Sequence, residues 1–192
     1  MTADLAGSRD QGFQVTGSRI THHGMLTTLR VDTIRAPDGS VVEREIAERP
    51  NAVAMVPLTA DDEVILVRQY RHAVGGHELE IPAGLLDVEG EREEDAAQRE
   101  LVEEIGMTAG TLRRLLCFTN SAGWSDEATV VFLASDLRDT EVDPGFEADA
   151  EEADMTIVRM RLADAVTAVR RGEIRDAKTV IGLLLVAGDR GS

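Results

Sequence analysis

From residue 13 to residue 48 apolar and polar positions alternate in the manner of β-strands. The stretch Ala36-Pro37-Asp38-Gly39-Ser40 supplies turn chemistry between Leu29-Arg30-Val31-Asp32-Thr33-Ile34 and Val41-Val42-Glu43-Arg44-Glu45-Ile46, which predicts a small antiparallel sheet. A few strands alone are marginal in water, so such a sheet must bury a face against the rest of the chain or against a second copy. Beyond Pro50, the apolar runs 52–58 and 63–70 flank the turn-prone Thr59-Ala60-Asp61-Asp62 and predict a buried hairpin. Residues 92–105 form the strongest helical pattern: Ala97, Leu101 and Ile105 recur every four residues, acidic residues crowd the first turn, and Gly106 ends it. Further strands are predicted at 112–118, 128–134 and 156–161, and helices at 162–171 and 177–186. The mixture implies an α/β or α+β sandwich.

The chain divides into a polar lead expected to be flexible (1–12), the small β subdomain (13–48) and a main domain (49–188). Its 192 residues accommodate one ordinary domain and a modest appendage, and a 43% hydrophobic content argues against disorder. Charge narrows the partners: 20 Lys and Arg against 36 Asp and Glu give a net charge of −16, which repels nucleic acid. Cys117 is the only cysteine, so no intrachain disulfide forms and a cytoplasmic location is expected. The longest apolar run, Ile181 to Ala187, is too short to cross a bilayer, and the N-terminus lacks the pattern of an export signal.

On a helical wheel Glu93, Glu100 and Glu104 share one stripe, with Glu103 at its edge and the apolar stripe roughly opposite. Taken alone, a glutamate cluster in so acidic a chain reads first as a solvated face. Like charges at these spacings nonetheless cost a few tenths of a kcal/mol per pair, roughly, unless cations occupy them, and Mg2+ or Mn2+ suits an all-oxygen set.

The wider pattern overturns the solvated reading. Gly84, Glu91, Arg99-Glu100-Leu101-Val102-Glu103-Glu104-Ile105-Gly106-Met107 resembles the signature loop-helix-loop of the Nudix hydrolase superfamily, G-x5-E-x7-R-E-U-x-E-E-x-G-U with U aliphatic. Six residues rather than five separate Gly84 from Glu91, and every defined position from Glu91 to Met107 matches. The resemblance implies a Nudix α/β/α sandwich with a mixed sheet, a small N-terminal antiparallel sheet, and hydrolysis of a nucleoside diphosphate linked to another moiety. It implies that Glu100, Glu104 and the backbone carbonyl of Ala83 ligate Mg2+ or Mn2+, that Glu103 assists, and that Arg99 holds a glutamate in place.

The segments Gln69-Tyr70-Arg71, Glu78 to Gly84 and Ser121 to Glu127 are similar to those of the ADP-ribose pyrophosphatase branch. That likeness implies hydrolysis of ADP-ribose to AMP and ribose 5-phosphate, with a homodimer built through the N-terminal sheet. It implies that Arg71 contacts the diphosphate, that Glu80 and Glu127 line the substrate site, and that Glu151, or else Glu152, is the general base of an acidic loop. Tyr70, Phe118, Trp124 and Phe13 are the candidate platforms for adenine. Ala122 stands where the branch usually has proline, sixteen residues past the signature glycine, which keeps another nucleoside diphosphate sugar as the alternative substrate. A non-catalytic nucleotide-binding module is the reading from another class, disfavoured by the complete set Arg99, Glu100, Glu103 and Glu104. His22, His23, His72 and His77 lack a metal-binding spacing, and Cys117 is expected to be a buried thiol.

Overall fold

The computed structural model describes residues 12–140 and 154–190; residues 1–11, with most of the polar lead, and Glu151 and Glu152 lie outside the described residues. Contacts divide the described chain into two compact units, one of residues 12–50 with 119–127, the other of residues 51–118 with the described part of 128–190.

In the first unit β1 (Gln14–His23), β2 (Thr28–Arg35) and β3 (Val41–Glu48) form an antiparallel sheet in that order. The β2–β3 turn is closed by the amide of Gly39 donating to Ala36 O at 2.9 Å and that of Ser40 donating to Asp38 Oδ1 at 2.9 Å. Every residue of β1 is exposed, and Phe13, Val15 and Ile20 each keep more than 60% of their surface in solvent. Ala47 near the end of β3 is buried against the 121–127 loop, with its amide donating to Trp124 O at 2.8 Å and its carbonyl accepting from Ser125 Oγ at 3.0 Å.

In the second unit β4 (Ala52–Pro57) pairs antiparallel with β7 (Ala83–Leu85) on one edge and parallel with β9 (Ala128–Asp139) on the other, and β8 (Met107–Thr119) extends the sheet beyond β9. A second sheet sets β5 (Glu63–Arg71) between β10 (Thr156–Arg161) and β6 (Gly76–Glu80), all antiparallel neighbours. Successive side chains of a strand point to opposite faces, and here both faces are buried. Val53 and Met55 pack with Val130, Phe132 and the Ala97 and Leu101 of α1 (Glu93–Ile105), whereas Ala54 and Val56 pack with Val131 and with the Ala165 of α2 (Leu162–Arg170) and Leu183 of α3 (Ala177–Arg190). The result is an α+β sandwich with α1 on one side and α2 and α3 on the other.

The expected hairpin is corrected. The turn after β4 forms, with Thr59 N donating to Glu63 O at 2.9 Å, but the two strands share only the bridge Leu58–Val64 before entering different sheets. A strand has two edges, and those of β4 are taken by β7 and β9. The short β6 and β7 were not predicted. Helix α1 begins one residue later than expected and stops at Gly106, whose φ of 65° is a left-handed conformation suited to glycine and whose amide caps Val102 O at 3.0 Å.

Candidate active site

The carboxylate stripe of α1 does not lie opposite the apolar stripe but beside it. Glu100 is buried with Ala96, Ala97, Leu101 and Ile105, and Glu93 leaves the group to pair with Arg114 at 3.1 Å. A step of one residue turns a helix by only about 100°, so Glu100 flanks Leu101 instead of facing away from it. Gly84 makes room for this: a Cβ there would overlap the Glu100 carboxylate, so the signature glycine is required by close approach.

Arg99 gathers the acids. It grips Glu91 with two parallel bonds, Nε to Oε1 and Nη2 to Oε2, each 3.1 Å, and its Nη1 reaches Glu100 Oε1 at 2.5 Å and Glu103 Oε2 at 3.1 Å. Glu104 lies outside that grip. Its Oε2 accepts the amide of Ala83 at 3.0 Å, and burial, reinforced by the charge of Glu100, pushes its carboxyl up to about 8. Glu104, enclosed one helical turn from the Glu100 carboxylate, thus calls for a proton or a cation. Among the described residues no group of three or more His, Cys, Asp or Glu forms a ready-made metal cluster. The oxygen set of Glu100, Glu104 and the Ala83 peptide fits a hard divalent ion completed by water and substrate oxygens.

The end of β5 and of β6 carries a second cluster. Residues Arg71 and Glu80 share one face of the ladder and form a bidentate pair, Nε to Oε1 at 2.8 Å and Nη2 to Oε2 at 2.7 Å. Lys178 Nζ also donates to Glu80 Oε2, and to Asp176 Oδ1 at 3.0 Å. Burial would raise the Glu80 carboxyl, but Arg71 and Lys178 outweigh it and hold it at about 2. Asp176 caps α3, accepting from Thr179 N at 3.0 Å and Thr179 Oγ1 at 2.6 Å. These groups, with Arg175 paired to Glu78, line an open cavity of about 550 Å³. Lys178 and Asp176 were missed in the sequence. The available signal was that Lys178 is the only lysine of the chain, every other basic residue being arginine.

Tyr70, one residue before Arg71, turns to the other face, where its ring meets His77 edge-on at 5.6 Å and His72 at 6.2 Å. Glu127 lies in the first unit, 3.7 Å from Arg49. Trp124 in that unit is 57% exposed and lines a cavity of about 460 Å³ with Leu29, Ile46, Arg30 and Glu45. Cys117 is exposed rather than buried, because it falls on an outward position of β8.

The chain matches the model of the NUDIX domain over residues 48–180, and it belongs to that family. An ADP-ribose pyrophosphatase of Mycobacterium tuberculosis (strain ATCC 25618 / H37Rv) is 40% identical over 177 residues, 92% of this chain and 84% of that protein. One of Bacillus subtilis (strain 168) is 36% identical over 160 residues, 83% of this chain and 84% of that protein. The crystal structure of an ADP compounds hydrolase superposes with a TM-score of 0.80 at 26% identity, covering 93% of this chain and 94% of that one. Nudix hydrolases generally require a divalent metal. Among the described residues no helix is long and apolar enough to cross a membrane.

Proposed function

We propose that this protein hydrolyses the diphosphate bond of ADP-ribose, releasing AMP and ribose 5-phosphate. The observation that carries the reading is the adjacency, within one unit, of a buried carboxyl short of positive charge, Glu104 beside Glu100, and a basic cluster, Arg71 and Lys178, whose charges act on Glu104. A metal held by the acids and a diphosphate received by Arg71 would satisfy both. The activities named for the 40% and 36% identical relatives support the same substrate.

In this reading Glu100, Glu104 and the Ala83 carbonyl hold Mg2+ or Mn2+. When bound, such an ion would neutralise phosphate charge and lower the pKa of the attacking water. Arg99 keeps Glu91, Glu100 and Glu103 in register, and Arg71 binds the diphosphate. Water oxygen bonds to one phosphorus as the bridging P–O bond breaks, and Glu151, or else Glu152, accepts the water proton, a role implied by the likeness to the ADP-ribose pyrophosphatase branch. Glu80 completes the substrate site beside Arg71. The open face of β1 supports a homodimer through the N-terminal sheet, for which light scattering should return twice the 20.8 kDa chain mass. The single cysteine suits a cytoplasmic setting.

Product analysis with Mg2+ across ADP-ribose, ADP-glucose and GDP-mannose tests the substrate. AMP with ribose 5-phosphate, formed fastest from ADP-ribose, is expected. Preference for another sugar nucleotide favours the alternative that Ala122 and the lengthened loop before α1 motivate, and binding without turnover of any substrate favours a nucleotide-binding module.

A further inference from the structure

Within the second unit the Arg71–Glu80 pair is held from behind by a residue of a different element. Lys178 stands in the first turn of α3, and its side chain is only 15% exposed. That turn is fixed twice over, by the Asp176 cap and by the Ile81 amide donating to Thr179 Oγ1 at 2.8 Å, which ties it to the residue following β6. Thr179 is fully buried, so the turn cannot drift without breaking enclosed bonds.

The identity of the residue matters as much as its place. Nineteen of the twenty basic residues are arginine, and the lone lysine sits where one cation must meet Glu80 and Asp176 together. An ammonium is a compact point charge that bonds two carboxylates in different directions, whereas a guanidinium presents a planar fork. Arg71 already supplies the fork to Glu80, using both carboxylate oxygens. With Oε2 shared between Arg71 and Lys178, neither Glu80 nor the guanidinium is free to rotate away. The Arg71 side chain is 37% exposed and lines the cavity, where an anion could reach it.

We propose that Lys178 is a positioning residue for diphosphate recognition: through Glu80 it fixes the Arg71 guanidinium in the orientation that receives the substrate's diphosphate. This rests on the reading of Arg71 as a diphosphate contact. Lys178 itself touches no substrate in this account. Its effect therefore falls on ground-state binding, not on the chemical step.

Steady-state kinetics with ADP-ribose and Mg2+ test it on Lys178→Met and Lys178→Arg. Loss of a charged hydrogen bond predicts that Lys178→Met raises KM about tenfold while kcat stays within about threefold. Lys178→Arg, which restores charge with poorer geometry, should recover part of that loss. A Lys178→Met enzyme with unchanged KM, or a loss confined to kcat, would overturn the proposal. The single lysine supplies an independent readout, since protein labelled with 15Nζ-lysine gives one side-chain ammonium signal. That signal should move in Glu80→Gln and on titration of the wild type with inorganic pyrophosphate, and the pyrophosphate response should vanish in Arg71→Ala. An ammonium signal indifferent to both overturns the role of Lys178 even where ADP-ribose is hydrolysed. Wild-type protein that turns over no substrate but shows the pyrophosphate response defeats the ADP-ribose reading and leaves the role of Lys178 supported.

Discussion

Two ionic clusters in one unit solve opposite problems. On α1 a single cation, Arg99, serves three carboxylates, and Glu104 beside them is left with a backbone amide. At the end of β6 the carboxylate of Glu80 is held by two cations, one of which, Lys178, bridges it to a second carboxylate, Asp176. Both clusters are partly enclosed, so solvent does little to erase the imbalance. The first is short of positive charge, whereas in the second each carboxylate has a cation beside it. In a chain of net charge −16 the overall field says nothing about this, because the sign that a ligand meets is set within a few ångströms. A diphosphate carrying a divalent metal matches the pair of clusters, with the metal on one and phosphate oxygens on the other.

The comparison breaks hardest at Glu104. Glu104→Gln keeps the shape and removes the charge, and kcat for ADP-ribose hydrolysis should fall by about 10³-fold, as for removal of a main electrostatic stabiliser, with the circular dichroism spectrum unchanged. Unaltered turnover would remove Glu104 from the metal set. Gly84→Ala comes next. The added Cβ overlaps the Glu100 carboxylate, the far end of a flexible side chain, so the fold survives while the carboxylate is displaced. A displacement of about 1 Å predicts a loss near 10²-fold in kcat/KM with little change in Tm. On the other cluster, Arg71→Ala should raise KM between about tenfold and a hundredfold and leave kcat closer to wild type, since it removes charged bonds to the bound diphosphate.

Much of this was legible in the sequence because it lay in local spacing. The four-residue recurrence of Ala97, Leu101 and Ile105 and the closing Gly106 gave α1 to within one residue, and the register from Glu91 to Met107 named the acid cluster. What was not legible depends on which elements meet. Periodicity suggests two strands joined by a turn but not that β4 and β5 part into different sheets, since edge occupancy is decided by strands elsewhere in the chain. The Glu80 cluster was half visible: Arg71 and Glu80 lie on one face of a single β-ladder, whereas Lys178 arrives from 98 residues away and has no motif around it. Glu100 was taken to lie opposite the apolar stripe although a one-residue step sets it only about 100° from Leu101, and its burial also depends on how far the neighbouring β7 strand and its Gly84 approach.

The smallest expected effect is on stability, and there the two clusters titrate in opposite windows. Glu104 is near 8 in the folded protein and near 4.5 as a free side chain, so between those values the native state holds a proton that the unfolded chain has released. Stability falls as pH rises through that window, by up to about 5 kcal/mol once Glu104 is ionised, and the penalty persists above it. Glu80, held at about 2, behaves in reverse: its contribution is present above 4.5 and is lost as pH falls from there towards 2. Thermal melts in chelator should therefore show Tm declining on both sides of the window's lower edge. Glu104→Gln should flatten the alkaline decline and leave the acid one, and Glu80→Gln should do the opposite at a lower overall Tm. Excess Mg2+ binds the ionised form of the α1 acids and should reverse the alkaline slope in the wild type but not in Glu104→Gln. A wild-type alkaline decline that Mg2+ leaves untouched would mean that the charge imbalance on α1 is relieved by something other than a cation.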